Sequence, residues 1–182
     1  MTITDTQARP VPFRDRTSFS RNEISDCTFG RGEFEGYPRL PKGRMRLIDS
    51  VSYITATGGE HGQGYAEATF AIRPNLWFFE DHFDGDPVMP GWLMADGLLQ
   101  LTGFFAGWLD HKGKGRARSS NGVKWLSEVV PTSRLLRSRI DVISVQKDRR
   151  SEVVIATASG VLYCDDVKAC TAQELKATIL PL

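Results

Sequence analysis

The chain has 182 residues, 41% of them hydrophobic and 25% charged, with a formal net charge of +1. That length suits one domain with a real core, and the composition is ordinary globular rather than disordered or fibrous. The near-neutral balance offers nucleic acid no global attraction, and no nucleic-acid partner is expected.

Residues 1–18 are polar, with Pro and Arg, and predict a flexible N-terminal tail ahead of a single domain over 19–182. Residues 1–20 hold no apolar run of the signal-peptide kind. Ser20-Arg-Asn-Glu23 has the spacing of a capping box, so a short helix is expected there. Residues 31–43 are rich in Gly and Pro and read as loop. A first strand is predicted over 45–56, broken by Gly58-Gly59. Residues 64–72 alternate, with Ala66, Ala68, Phe70 and Ile72 opposite Tyr65, Glu67, Thr69 and Ala71. This second strand should pair antiparallel with the first through a turn at 58–62.

After Pro74 a loop is expected, with His82 behind Trp77, Phe78 and Phe79. Residues 91–109 are apolar on nearly every side, the mark of a core helix. Asp96, Gln100 and several glycines within it argue against a membrane span, so no membrane partner is expected. Residues 110–118 read as a flexible basic connection, and 120–130 as a strand stopped by Pro131. Residues 135–145 alternate Arg137, Arg139 and Asp141 against Ile140 and Val142; 147–150 form a polar turn; 152–164 and 169–180 are the last strands. About six strands with short connections imply antiparallel pairing, and a sheet packed on one helix is an α+β domain.

The odd count of cysteines, Cys27, Cys164 and Cys170, has no scaffold spacing and reads as reduced thiols in the cytoplasm. His61, His82 and His111 lack zinc spacing, and Asp84-Gly-Asp86 fails as a calcium loop because Val88 stands where the next ligand belongs. No metal or cofactor is expected. His82 in an apolar loop and Asp96 inside an apolar helix are different, because such groups are costly to hold without partners. They read as an acid–base pair. Taken alone, His82 could be structural and Asp96 could answer a buried Arg. Gly91 could be no more than the turn into the helix, and Gln100, one turn beyond Asp96, could either orient its carboxyl group or simply pack.

The run WFFEDHFDGDPVMPGWLMADGLLQLTGFFAGWL closely resembles the core of the β-hydroxydecanoyl-acyl-carrier-protein dehydratase/isomerase family. The resemblance continues in ISDCTFGRGEFEG, GYAEATFAI, GKGRA at 113–117, GVKW at 122–125, VVPT at 129–132 and ELK at 174–176, covering roughly residues 18–180. It implies the hot-dog fold, a long central apolar helix wrapped by a curved antiparallel sheet. It also implies a homodimer with active sites at the interface, His82 of one chain meeting Asp96 of the other.

The activity implied is dehydration of 3-hydroxyacyl-acyl carrier protein to the trans-2-enoyl product, with isomerisation to cis-3 in the family, in fatty-acid or specialised lipid or polyketide biosynthesis. His82 then suits the base and Asp96, its pKa raised by an apolar helix, the proton donor. Backbone N–H groups at Gly91, where the helix dipole is positive, suit the thioester oxygen. Phe83, Trp92 and Met94 fall along the implied acyl tunnel; Trp92 stands where a small residue is more familiar, and Met94 where glycine often does. An acidic carrier bearing phosphopantetheine would need a basic patch. Candidates are Arg134, Arg137 and Arg139 on one strand face, Lys147, Arg149 and Arg150 in a turn, and Lys176. Lys112, Lys114, Arg116 and Arg118 form a second cluster that suits the helix's negative pole. A hot-dog thioesterase using the helix acid, and a non-catalytic acyl-carrier-binding paralogue, are the competing readings.

Overall fold

The computed structural model describes residues 11–182. Their seven strands, β1 (Ser50–Thr55), β2 (Tyr65–Ala71), β3 (Lys114–Asn121), β4 (Lys124–Trp125), β5 (Leu135–Lys147), β6 (Val154–Cys164) and β7 (Val167–Leu180), form one antiparallel sheet in the order β1-β2-β5-β6-β7-β3, with β4 paired to β7. β1 (Ser50–Thr55) and β2 (Tyr65–Ala71) make the expected hairpin, and Ala66 and Ala68 point inward, fully buried. β5 (Leu135–Lys147), β6 (Val154–Cys164) and β7 (Val167–Leu180) are sheet neighbours in chain order because their connections are short. The β6–β7 turn is Asp165-Asp166, both at positive φ, as a tight hairpin of mirror-image type needs. The Asp165 carboxylate then accepts the Arg134 and Leu135 backbone N–H groups, each at 3.0 Å, and fixes where β5 begins.

The helix α1 (Arg21–Phe29) starts as its sequence predicts. Ser20 Oγ accepts the Glu23 N–H, and Glu23 reaches back to the Ser20 N–H at 2.7 Å. α3 (Gly91–Trp108) is the central helix and packs across β7, β6 and β5. Its other side is covered by the N-terminal segments, where Phe104 meets Phe13 and Phe19 edge-on at 5.8 and 5.1 Å. Two apolar walls explain a helix that is apolar all round. Among the described residues no helix is long and apolar enough to cross a membrane. Cys27, Cys164 and Cys170 are free and buried, and burial pushes the Cys27 and Cys170 thiols up to about 11.

Several expectations differ from the structure. Of the tail predicted over 1–18, residues 1–10 lie outside the described residues. From Phe13 onward the chain is packed, with a 3-10 turn at Phe13–Asp15 and Phe13 buried against Phe19, Phe34 and Tyr37. Burying one Phe contributes roughly 1.5–3 kcal/mol, enough to order polar neighbours. The loop before His82 contains a short helix, α2 (Trp77–Asp81). The expected basic connection is instead β3 (Lys114–Asn121), the edge strand against β7. Its side chains are largely exposed, so it shows no apolar alternation, and its charges suit an edge. The strand expected over 120–130 shrinks to β4 (Lys124–Trp125). Beyond β4 the chain runs on as a strap, with Leu126 N–H bonded to Ala169 and Val129 accepting from Met89.

Gly160 of β6 faces Leu98 of the central helix. A Cβ added there would stand 2.9 Å from Leu175 Cδ1 and 3.1 Å from Leu98 Cδ1. Gly160→Val should therefore destabilise the fold by about 1–3 kcal/mol through overpacking, read as a lower midpoint in urea. An unchanged midpoint would mean that the helix can slide away without cost.

Candidate functional site

His82 directly succeeds α2 and is half-buried. Its Nδ1 lies 3.0 Å from the Val88 carbonyl, and the Val88 N–H returns a 2.7 Å bond to the His82 carbonyl. Phe83 and Asp86 exchange backbone bonds at 3.0 and 3.1 Å, closing the turn between them. The Phe83 ring stacks on the imidazole at 3.8 Å. A carbonyl can only accept, so Nδ1 carries the proton and donates. The Nε2 lone pair is then free to take a proton from something else. Met89, hydrogen-bonded to Val129, ties this loop to the strap after β4.

Asp96 sits one turn below the start of α3, the single charged side chain of that helix. Its Oδ2 accepts from Gln100 Nε2 at 2.7 Å. Gln100 is itself buried and fully committed: Nε2 also donates to the Met45 carbonyl at 2.8 Å, and Oε1 accepts the Leu47 N–H at 3.0 Å. Both ends of the amide are satisfied in only one orientation, so the hydrogen bond it offers Asp96 is fixed. Gln100 thus orients the carboxyl group. Burial pushes the Asp96 carboxyl above the ordinary carboxylate range, while the Gln100 hydrogen bond works against that shift. A cavity of about 130 Å³ opens beside it, lined by Leu99, Gly103, Phe104, Ala117 and Ala177, with Arg39 and Arg116 among its polar walls. Among the described residues neither arginine pairs with Asp96, and no hydrogen bond links Asp96 to His82 within the chain.

Gly91 opens α3 with no side-chain cap. The Trp125 indole lies over it, so a Cβ at Gly91 would meet Nε1 at 2.5 Å. Trp125 also meets Trp92 edge-on at 5.0 Å. The sequence had hidden Trp125 inside an expected strand, although it ends the GVKW segment. Phe83 and Trp92 are 56% and 62% exposed, whereas Met94 is buried in the core and faces none of the cavities described. Arg39 and the Met45 and Leu47 backbone groups carried no sequence signal of a role.

The expected basic patch is largely neutralised. Arg137 pairs with Asp166 at 2.6 Å, Arg139 with Asp141 at 3.1 Å, Lys147 with Glu152 at 3.1 Å and Lys176 with Glu174 at 3.0 Å. Arg134, Arg149 and Arg150 have no ion pair among the described residues.

Because Asp96 is raised in the fold, its contribution to stability is full below the unfolded pKa and is lost as pH rises through the folded one. Asp96→Asn keeps an acceptor for Gln100 and removes that loss. Its Tm should exceed that of the parent at neutral pH. The gain should fade below about pH 4. A gain that persists unchanged into acid would contradict the assignment.

Residues 40–173 match a family described as the FabA-like domain. Among solved structures, the dehydratase heterocomplex ApeI:P from Xenorhabdus doucetiae is similar in fold, at TM-score 0.54. It is 14% identical over 78% of this chain and 87% of that one. A hypothetical thioesterase protein with coenzyme A from Streptococcus pneumoniae TIGR4 gives TM-score 0.49 at 11% identity, over 72% of this chain and 84% of that one. These likenesses speak at most for the fold. The family match takes in most of the chain, with His82, Gly91, Asp96 and Gln100 inside it, and so the protein belongs to the FabA-like family of hot-dog dehydratases.

Proposed function

We propose that a homodimer of this chain dehydrates 3-hydroxyacyl thioesters carried on acyl carrier protein to trans-2-enoyl thioesters. The reading is carried by the Asp96 carboxyl group: raised by burial, held by one oriented amide, and facing a cavity with largely apolar walls. Such a carboxyl group can keep a proton to give.

In this reading His82 Nε2 takes a proton from C2 of the substrate, and electron density moves onto the thioester oxygen. Backbone N–H groups at the start of α3 receive that charge; a donor of this kind is worth about 3–4 kcal/mol in other enzymes. The C3–O bond then breaks as Asp96 protonates the departing hydroxyl, which leaves as water. The imidazolium returns its proton to the Asp96 carboxylate, and both groups are reset. A second pass of the same imidazole, taking a proton from C4 and returning one to C2, would give the cis-3 isomer.

Among the described residues, His82 and Asp96 each bond only to their own segment, which suits a site completed by His82 of the partner subunit. β3 ends the sheet, and its outer edge is the place where a second copy would add. Arg134, Arg149 and Arg150 keep their charge for an acidic carrier.

Purified protein should convert 3-hydroxyacyl carrier substrates of graded chain length to enoyl products, with trans-2 and cis-3 isomers scored separately by mass spectrometry. His82→Ala and Asp96→Asn should each lower the rate by roughly 10²–10⁴-fold. Full activity in both variants would overturn the assignment. Release of free thiol would point to a thioesterase, and binding without turnover to a carrier-binding paralogue.

A further inference from the structure

A second cavity, of about 390 Å³, is lined by arginines from three separate segments: Arg21 from α1, Arg44 and Arg46 from the stretch before β1, and Arg73 from the stretch after β2. Asp49 and Glu80 are the acids on its wall, so the four arginines leave an excess of two positive charges. Asp49 is already engaged. Its Oδ1 lies 3.2 Å from Arg21 and 3.7 Å from Arg46, and its Oδ2 accepts the Ala71 N–H at 2.9 Å. Arg44 and Arg73 have no ion pair among the described residues. Phe70, Leu76 and Trp77 supply apolar walls, which strengthen electrostatic attraction inside the cavity.

The position is as telling as the charge. Arg44 and Arg46 flank Met45, whose carbonyl holds the Gln100 amide and through it Asp96. The Arg44 carbonyl also accepts Trp77 Nε1 at 3.2 Å, and Trp77 begins the helix that delivers His82. One short segment therefore adjoins the arginine cavity, the amide that holds Asp96 and, through Trp77, the helix before His82, the residue this chain lends to its partner's site in the proposed dimer.

We propose that this cavity is a phosphate-ester subsite, which seats the phosphate of a pantetheine thioester. All four cations are arginine, whose planar forks match phosphate oxygens two at a time. A concave site suits a compact tetrahedral anion better than the convex acidic face of a carrier protein. The pantetheine arm rests on the proposed thioester chemistry; the phosphate contact stands without it. Coenzyme A and a carrier-bound phosphopantetheine offer the same chemistry.

The test is calorimetric titration of the intact protein with coenzyme A, with pantetheine, which lacks phosphate, and with inorganic phosphate as competitor. Coenzyme A should bind at least tenfold more tightly than pantetheine, and phosphate should compete with it. Arg44→Gln with Arg73→Gln should remove most of that preference, since each charged hydrogen bond is worth roughly tenfold or more. Neither side chain anchors an ion pair, so the double variant should keep the parent circular dichroism; if it does not, Arg73→Gln alone is read.

Equal binding of coenzyme A and pantetheine to the parent, or no binding of either, would overturn the proposal. So would a preference that survives in the variant, or one lost instead in Arg39→Gln with Arg116→Gln. Holo-carrier should bind better than apo-carrier; equal binding of both, weakened equally by the variant, would mean a protein-docking surface and overturn the subsite. Binding is read without turnover. An inactive protein with an intact phosphate preference would therefore refute the dehydratase reading and leave the subsite standing.

Discussion

The Gln100 carboxamide is the constraint on which the candidate site depends. One side chain, buried in the core helix, bonds to the backbone at Met45 and Leu47 and to the carboxyl group of Asp96. It joins α3 to the segment that enters the sheet, and in doing so sets the direction in which an acid points. Without it, two backbone groups beside the helix would lose their partner, at about 1–3 kcal/mol each where water is excluded. The acid would also lose its only hydrogen bond in the chain, among the described residues. Packing and chemistry meet in this one amide.

The helix can carry the amide and its acid because the rest of it, apart from Thr102, whose hydroxyl donates back to the Leu98 carbonyl, is apolar. The sheet covers one side, and Phe13, Phe19 and Phe34 line the aromatic layer over the other. Gly160 lets the two layers meet at Leu98, about one half-turn from Asp96. The loop with His82 is held in a different way, by hydrogen bonds between His82 and Val88 and between Phe83 and Asp86. The two candidate catalytic groups are thus held by independent devices on separate elements.

Much of this could be read before any coordinates. The capping box at Ser20, the apolar length of α3, and the alternation in β2 and β5 each depend on local spacing. So does the one-turn relation of Asp96 to Gln100. The unreadable part depends on partners distant in the chain. β3 looks like a basic linker because an edge strand needs no apolar face, and only β7 gives it structure. Phe13 looks like part of a tail until its aromatic neighbours are known. Arg137, Arg139, Lys147 and Lys176 look like a binding patch until Asp166, Asp141, Glu152 and Glu174 are found beside them. The reverse holds for Arg21, Arg44, Arg46 and Arg73, scattered in sequence and gathered only by the fold.

The central claim is that a working site takes His82 from one subunit and Asp96 from the other. Mixing His82→Ala protein with Asp96→Asn protein, under conditions where subunits exchange, tests it directly. A hybrid dimer would hold one site with both residues intact and one with neither, so random mixing should restore about one quarter of parental activity. If the mixture stays as inactive as either variant while exchange is shown to occur, the two groups do not meet across a subunit boundary.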